Sequence, residues 1–350
     1  MESFTLRFEL DFAALAAYYL LESPTAGIGG RALSDIPAFP LADRVPVISA
    51  DAIARGVRAA ASQLVDQLTQ WGFIAIEMPG IGQATIDVTT HFAAACQSMA
   101  PSLSDFIYTQ VPQRSIGGNH GFFPMFSEVP RLAKGVADPK EFLHISGAII
   151  DDVPSGSRAV LETFNDLGRL AADLFARGFE LASAVGGLIC SLISDNPSLD
   201  LGLSWQSSIL RLVHYVVEDH REVLAYEHSG IQMLGVQYPP SDRGLQYVLN
   251  DGQWVEPQIA GTNVVLCNVG RMLTSASGGR FRPSTHRVHR ASPLDQYERW
   301  SNVLFCHPDH RANQWVIREN SRDVVPLAAT WGEFVSDMVR GLGIATAAGE

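Results

Sequence analysis

The chain is poor in cysteine. Only Cys96, Cys190, Cys267 and Cys306 occur in 350 residues, and no two of them form a Cys-x-x-Cys. That excludes a tight disulfide framework and suits a reducing cytoplasm, where free cysteines are mostly small core residues. Basic runs are missing as well. The formal net charge is -12 and no Lys/Arg block interrupts it, so a phosphate-backbone partner is not expected. An anionic ligand would need a local basic pocket. The N-terminal "MESFTLRFELDFAALAAYYLLES" lacks a basic leader, carries Glu2, Glu9 and Asp11 ahead of its apolar run, and is too short to span a bilayer. It is expected to form a short helix packed on the body, with no membrane partner. Repeats and low-complexity linkers are absent too.

What remains is an ordered globular composition, 47% hydrophobic and 18% charged, long enough to bury a sizeable core. "VPVIS" alternates like a strand, and Ser49 is a fitting N-cap for the helical pattern "DAIARGVRAAASQLVDQLTQW". Gly72 should end that helix, and "FIAIE" should follow as a buried strand. Between Pro101 and Pro154, Gly, Pro and aromatic residues suggest loops around a cavity mouth. From Arg158 to about Ile193 the pattern is helical, with Gly178 and Gly186-Gly187 as expected breaks or kinks.

After Ser207 short apolar runs alternate with turn signals: "ILRLVHYVV", "IQMLGVQY", "GLQYVL", "TNVVLCNV", "THRVHR", "WSNVLFCHP". Asn250-Asp251-Gly252 is a strong hairpin turn, and the strand spacing suggests a sandwich or barrel. "TWGEFVSDMVRGL" opens on a Thr330-x-x-Glu333 capping box, so the chain should close with a helix. The expected fold class is α+β with a mainly β core, in one domain over 1–350. A mostly helical region with loops spans 1–205, the β core 206–310 and a C-terminal helical segment 311–350.

Three places carry chemistry. His286 sits among β-branched neighbours in "STHRV", where a strand would fix an imidazole fit to bind iron, copper or zinc, although a lone His is more often structural. Thirteen residues later, Arg299 and Ser301 share one face of a strand. A guanidinium and a hydroxyl together can grip a carboxylate. Tyr215 in "LRLVHYVV" offers a phenol nearby, or simply a half-buried packing residue. His289, three after His286, points to the other face.

Taken in order, these segments resemble the isopenicillin N synthase-like branch of the non-haem iron, 2-oxoglutarate-dependent dioxygenases. "VPVIS" with "QLTQWGFIAIEMPGI", then "LRLVHY", then "GLQYVLNDGQWVEPQIAGTNVVLCNVGRMLTSASGGRFRPSTHRV" and "RWS" carry the resemblance, which covers about Pro46 to Gly341. It implies a distorted double-stranded β-helix, a jelly roll, with supporting helices. It also implies His286 as the distal metal ligand. Arg299, Ser301 and Tyr215 become the binders of a 2-oxoglutarate or substrate carboxylate.

The family's His-x-Asp does not carry over. Counting back eleven from Gln237 puts Tyr226 at the His position and His228 at the Asp position, with Glu227 between them. On a regular strand both would face the cavity. A second register makes His228 the first His, giving "HSG", as in halogenating relatives where a small residue replaces the carboxylate. That register needs a bulge or a slip, and the first is preferred. The candidate ligand set is therefore Tyr226, His228 and His286, with Tyr226 also a candidate acid or base. Arg271 replaces the family's usual Asp in "NVGRML".

The resulting expectation is a metal-dependent, oxygen-using oxidoreductase of cytoplasmic biosynthesis. Its partners would be O2 and a small organic substrate recognised by loops such as Arg114–Phe126, and it would be a monomer or dimer. The expected metal is iron(II), with copper as the alternative and 2-oxoglutarate as a cosubstrate to be tested. The altered ligands keep two other readings open, a lyase or cyclase on the same pocket and a non-catalytic small-molecule binder.

Overall fold

The structure is a computed structural model, and it describes residues 38–40, 45–110, 121–128, 136–151, 165–217, 221–291, 297–318 and 321–342. These residues belong to one compact unit, Ile36–Glu350. The expected N-terminal helix lies outside the described residues, as do residues 114–120 of the expected substrate loop.

The strands are β1 Ala38–Pro40, β2 Val47–Ser49, β3 Phe73–Glu77, β4 Gly121–Phe123, β5 Lys140–Ser146, β6 Ile209–Val217, β7 Val223–Ser229, β8 Leu234–Gln237, β9 Leu245–Val248, β10 Trp254–Gln258, β11 Val264–Val269, β12 Thr285–His289, β13 Tyr297–Cys306, β14 Asn313–Ile317 and β15 Val324–Thr330. The helices are α1 Ala50–Ala54, α2 Arg58–Trp71, α3 Ile81–Gln110, α4 Gly147–Asp151, α5 Asn165–Ile193, α6 Arg271–Ala276 and α7 Trp331–Leu342. Eight strands form a large sheet in the order β2-β3-β11-β8-β13-β6-β5-β4. Five form a smaller one, β1-β10-β9-β12-β7.

Period-two alternation decides what each sheet buries. Phe73, Ala75, Val213, Tyr215 and Leu266 of the large sheet meet Leu224, Leu245, Tyr247, Val255 and Val288 of the smaller one. The other face of the large sheet turns Leu210, Leu212, Val236 and Leu304 toward the helices, where Phe92 of α3 and Leu174 and Phe175 of α5 cover them. Helix α5 is apolar and long enough to cross a bilayer by composition, yet Leu167, Ala171, Ala182, Val185 and Ile189 are core residues of this layer.

Several expectations hold in detail. Gly72 ends α2 in the left-handed region at φ 73°, with its N–H on the Leu68 carbonyl. Gly252, at φ 79°, turns β9 into β10. The Thr330–Glu333 box closes in both directions, with Thr330 N–H on the Glu333 carboxylate and Glu333 N–H on the Thr330 hydroxyl.

Other elements differ. The helix expected as one piece from Asp51 is split into α1 and α2, because Gly56 at φ 62° turns the chain between them. Helix α5 runs unbroken through Gly178 and Gly186-Gly187. A side chain at Gly178 would collide with the Tyr238 hydroxyl and Leu304, so that glycine serves close packing on the sheet. The loops expected between Pro101 and Pro154 instead contain the end of α3 and the strands β4 and β5. The C-terminal segment opens with the β14–β15 hairpin before its helix, as the β-branched runs in "NQWVI" and "VVPLAAT" favour.

Candidate metal and carboxylate site

His286 lies on β12 with His228 opposite it on β7 and Tyr247 opposite it on β9. The two imidazole centroids are 4.4 Å apart, and Tyr247 is 5.4 Å from His286. Each imidazole is fixed in the same way. His228 Nδ1 is 2.7 Å from the Tyr226 carbonyl and His286 Nδ1 is 2.9 Å from the Ser284 carbonyl. A carbonyl only accepts, so both rings carry the proton on Nδ1 and keep a lone pair on Nε2. Burial holds the pKa of His228 down to about 4 and that of His286 down to about 3, with the Lys140 charge adding to both. The His228 ring is reachable by solvent, while the protein around it still desolvates its cation. Both hold for a side chain lining an open cleft. Two neutral imidazoles that keep lone pairs on Nε2 could hold a metal ion.

The register of β7 separates Tyr226 from this pair. His286 pairs with His228 and Val288 with Ala225, so two steps on β12 match three on β7. A β-bulge therefore sets Tyr226 and Glu227 together opposite Arg287. Arg287 belongs to the outer side, where its Nε donates to Gln246 and its guanidinium lies 3.9 Å over the Trp254 ring. The alternation that would put Tyr226 beside His228 is broken. The Tyr226 backbone carbonyl accepts from His228 Nδ1. A side chain at Gly230 would meet the Gln232 side-chain amide, which would have to shift. Arg271 opens α6 and its N–H donates to the Gly230 carbonyl. His289 is on the outer side, against Gln246 and Glu256.

The second half of the site is a row across the inner face of the large sheet. Arg299, Tyr215 and Lys140 are cross-strand partners. Arg299 is 0% exposed, its Nε donates to the Asp242 and Arg243 carbonyls, and both Nη1 and Nη2 are buried without a partner. An unpartnered buried guanidinium edge is costly unless an anion meets it. A carboxylate supplies the matching pair of acceptors. Ser301 is buried on the same face, and the Tyr215 ring lies 5.7 Å from the guanidinium. The three residues expected to act together, Arg299, Ser301 and Tyr215, thus lie on one inner face.

Other polar residues of this cavity had no motif to announce them. Lys140, one of only two lysines in the chain, is buried between Glu128 at 2.5 Å and Asp138 at 2.7 Å. Arg211 adds Nη1 and Nη2 bonds to Glu128 at 3.2 and 3.3 Å and an Nε bond to His144. Burial opposes charge on Glu128, but Arg211 and Lys140 outweigh it and hold its carboxyl well below the usual range. Burial prevails on Asp138 and raises it. Tyr247 donates toward Asn268 and Gln237 at the cavity floor. Only the alternation in "KEFLHIS" could have flagged β5 and hence Lys140.

Residues 206–308 match the family described as the 2OG-Fe(II) oxygenase superfamily. No curated protein sequence matches the chain. Among solved structures, a full-length Neurospora crassa protein in complex with alpha-KG and 5-formyluracil is 19% identical with a TM-score of 0.63, over 84% of this chain and 95% of that one. A Caulobacter crescentus protein named for the 2OG-Fe(II) oxygenase family is 22% identical with a TM-score of 0.64, over 85% and 99%. The rice dioxygenase for auxin oxidation is 16% identical with a TM-score of 0.60, over 85% and 95%. At these identities the structural likeness concerns the fold, the expected jelly roll with supporting helices.

Proposed function

We propose, from the premise that residues 206–308 are the core of a 2OG-Fe(II) oxygenase, that this chain binds iron(II) and 2-oxoglutarate and oxidises a small organic molecule. The observation that carries the reading is the Arg299 guanidinium, wholly buried with Nη1 and Nη2 unpartnered. The cosubstrate carboxylate fits that edge, with Ser301 and Tyr215 completing its pocket. His228 and His286 would hold the metal through Nε2, because their Nδ1 atoms are committed to backbone carbonyls. Bound iron supplies the oxygen chemistry that no side chain provides. The protein's own part is to fix two ligands, anchor one carboxylate and line the cavity.

The donor set departs from the usual two-His, one-carboxylate triad, since among the described residues no carboxylate oxygen clusters with both His228 and His286. That departure favours a second reading, in which the clamp and the two imidazoles bind a ligand or serve non-redox chemistry. Iron analysis of the protein as purified, together with 2-oxoglutarate-dependent succinate release, separates them. Near-stoichiometric iron lost in His286→Ala, with succinate formed by the wild type, supports the oxygenase. An iron-free wild type that binds 2-oxoglutarate without forming succinate leaves the second reading in its place.

A further inference from the structure

The outer face of the large sheet carries a second cluster of potential metal-binding side chains, on the opposite side of the sheet from Arg299 and Lys140. Glu141, His214 and Trp300 are cross-strand partners on β5, β6 and β13. They alternate with Lys140, Tyr215 and Arg299, which face inward, so this row faces the helices. Helix α3 lies over it. Thr89 accepts a hydrogen bond from Asn302 at 3.1 Å, and Phe92 packs edge-on to Trp300 at 5.6 Å. Cys96, one turn beyond Phe92 on the same helix face, then comes down on Glu141 and His214. One ligand atom from each of the three lies within 4.8 Å of the others.

We propose that Cys96, Glu141 and His214 form a binding site for a soft divalent cation, Zn2+ by its donor set, distinct from the cavity site. Sulfur, imidazole nitrogen and carboxylate oxygen on three rigid elements are the ligands of three-protein-ligand zinc sites, with water in the fourth position. Thiolate and carboxylate together balance the charge of a divalent ion, leaving no net charge in a half-buried site.

The hydrogen bonds of the metal-free cluster support this. His214 Nδ1 is 2.9 Å from Glu141 Oε1, and burial together with the Glu141 charge keeps the Cys96 thiol protonated. Glu141 thus holds two protons at the positions where a cation would be shared. With its proton on Nδ1, His214 is left with a bare Nε2 that is buried and has no partner. A cation on Nδ1 moves that proton to Nε2, where the Glu298 carboxylate stands 3.9 Å away. The ion would therefore turn the unsatisfied Nε2 into a donor facing the exposed Glu298 side chain, the kind of outer carboxylate that ligating histidines commonly have. The Trp300 ring, stacked on His214 at 3.6 Å and 2°, fixes the imidazole plane. Bound in this way, the ion would tie α3 to the sheet.

Cobalt(II) titration of the wild-type chain tests the site, because no thiol stands among the cavity ligands. The expected result is a thiolate-to-cobalt charge-transfer band that saturates at one equivalent and is displaced by Zn2+. Cys96→Ser should abolish the band and leave succinate release and cavity iron unchanged. Glu298→Gln should weaken cobalt binding by about tenfold. Zn2+ should raise the unfolding temperature of the wild type but not of Cys96→Ser. Absence of the band, or its survival in Cys96→Ser, overturns the proposal. Should Cys96→Ser fail to fold, Glu141→Gln serves instead, and an undiminished band in that variant is equally fatal.

Discussion

His228 and His286 are direct cross-strand partners whose rings stand 4.4 Å apart, each tied by Nδ1 to the carbonyl two residues before it. The pairing exists because β7 bulges between Ala225 and His228. It makes the imidazole pair a property of two strands and not of one tripeptide.

Tyr226 contributes its carbonyl to that arrangement, so Tyr226→Phe should keep the iron content of the wild type. Loss of iron, or of a phenolate-to-metal absorption, in that variant would assign the phenol as a ligand. His228→Ala should lose iron, and the two variants together decide which residue of the pair binds.

Arg299 presents a buried guanidinium edge with Nη1 and Nη2 unpartnered. Arg299→Ala should weaken 2-oxoglutarate binding by roughly a hundredfold, the scale for removing one partner of a buried charge pair. Arg299→Lys should recover little, since an ammonium lacks the paired edge. Calorimetric titration with 2-oxoglutarate measures both.

Lys140 holds the buried Asp138 and the half-buried Glu128. Lys140→Met leaves Glu128 with Arg211 alone and Asp138 with no cation, and should cost about 3 kcal/mol of stability at neutral pH. Adding Asp138→Asn should return part of that loss, a coupling that urea unfolding of the single and double variants reads directly.

Gly178 faces the Tyr238 hydroxyl, which itself donates to the Leu174 carbonyl at 2.7 Å. Gly178→Ala should therefore destabilise by about 1–3 kcal/mol through overpacking, although alanine is the better helix former. A thermal shift upward would show that the helix can move off the sheet.

His307 gives a pH dependence with a definite sign. Burial, aided by the neighbouring His310, lowers its folded pKa to about 3, against about 6.5 in an unfolded chain. As pH falls the unfolded state takes up the proton first. The folded state is therefore fully favoured above about pH 6.5 and loses up to about 1.4 kcal/mol per pH unit below it, down toward the folded pKa. His307→Asn should flatten that decline in denaturant unfolding measured between pH 7 and pH 5.

Much of the fold is written locally. The strand–helix–strand opening, the Gly72 stop, the Asn250-Asp251-Gly252 turn and the Thr330 capping box rest on residues near one another in sequence, whose backbone preferences need no distant partner. The same holds for the inward side chains of β13, where alternation alone puts Arg299 and Ser301 on one face. The sequence by itself thus determined the jelly-roll order, the strand that carries His286 and the shared face of Arg299 and Ser301. Only the tertiary structure decided that His228, and not Tyr226, stands opposite His286, because a bulge is set by pairing with a strand some sixty residues away. The same dependence on pairing hid Lys140 and the Cys96–Glu141–His214 cluster, whose members meet only after β5, β6 and α3 are brought together by burying their apolar neighbours.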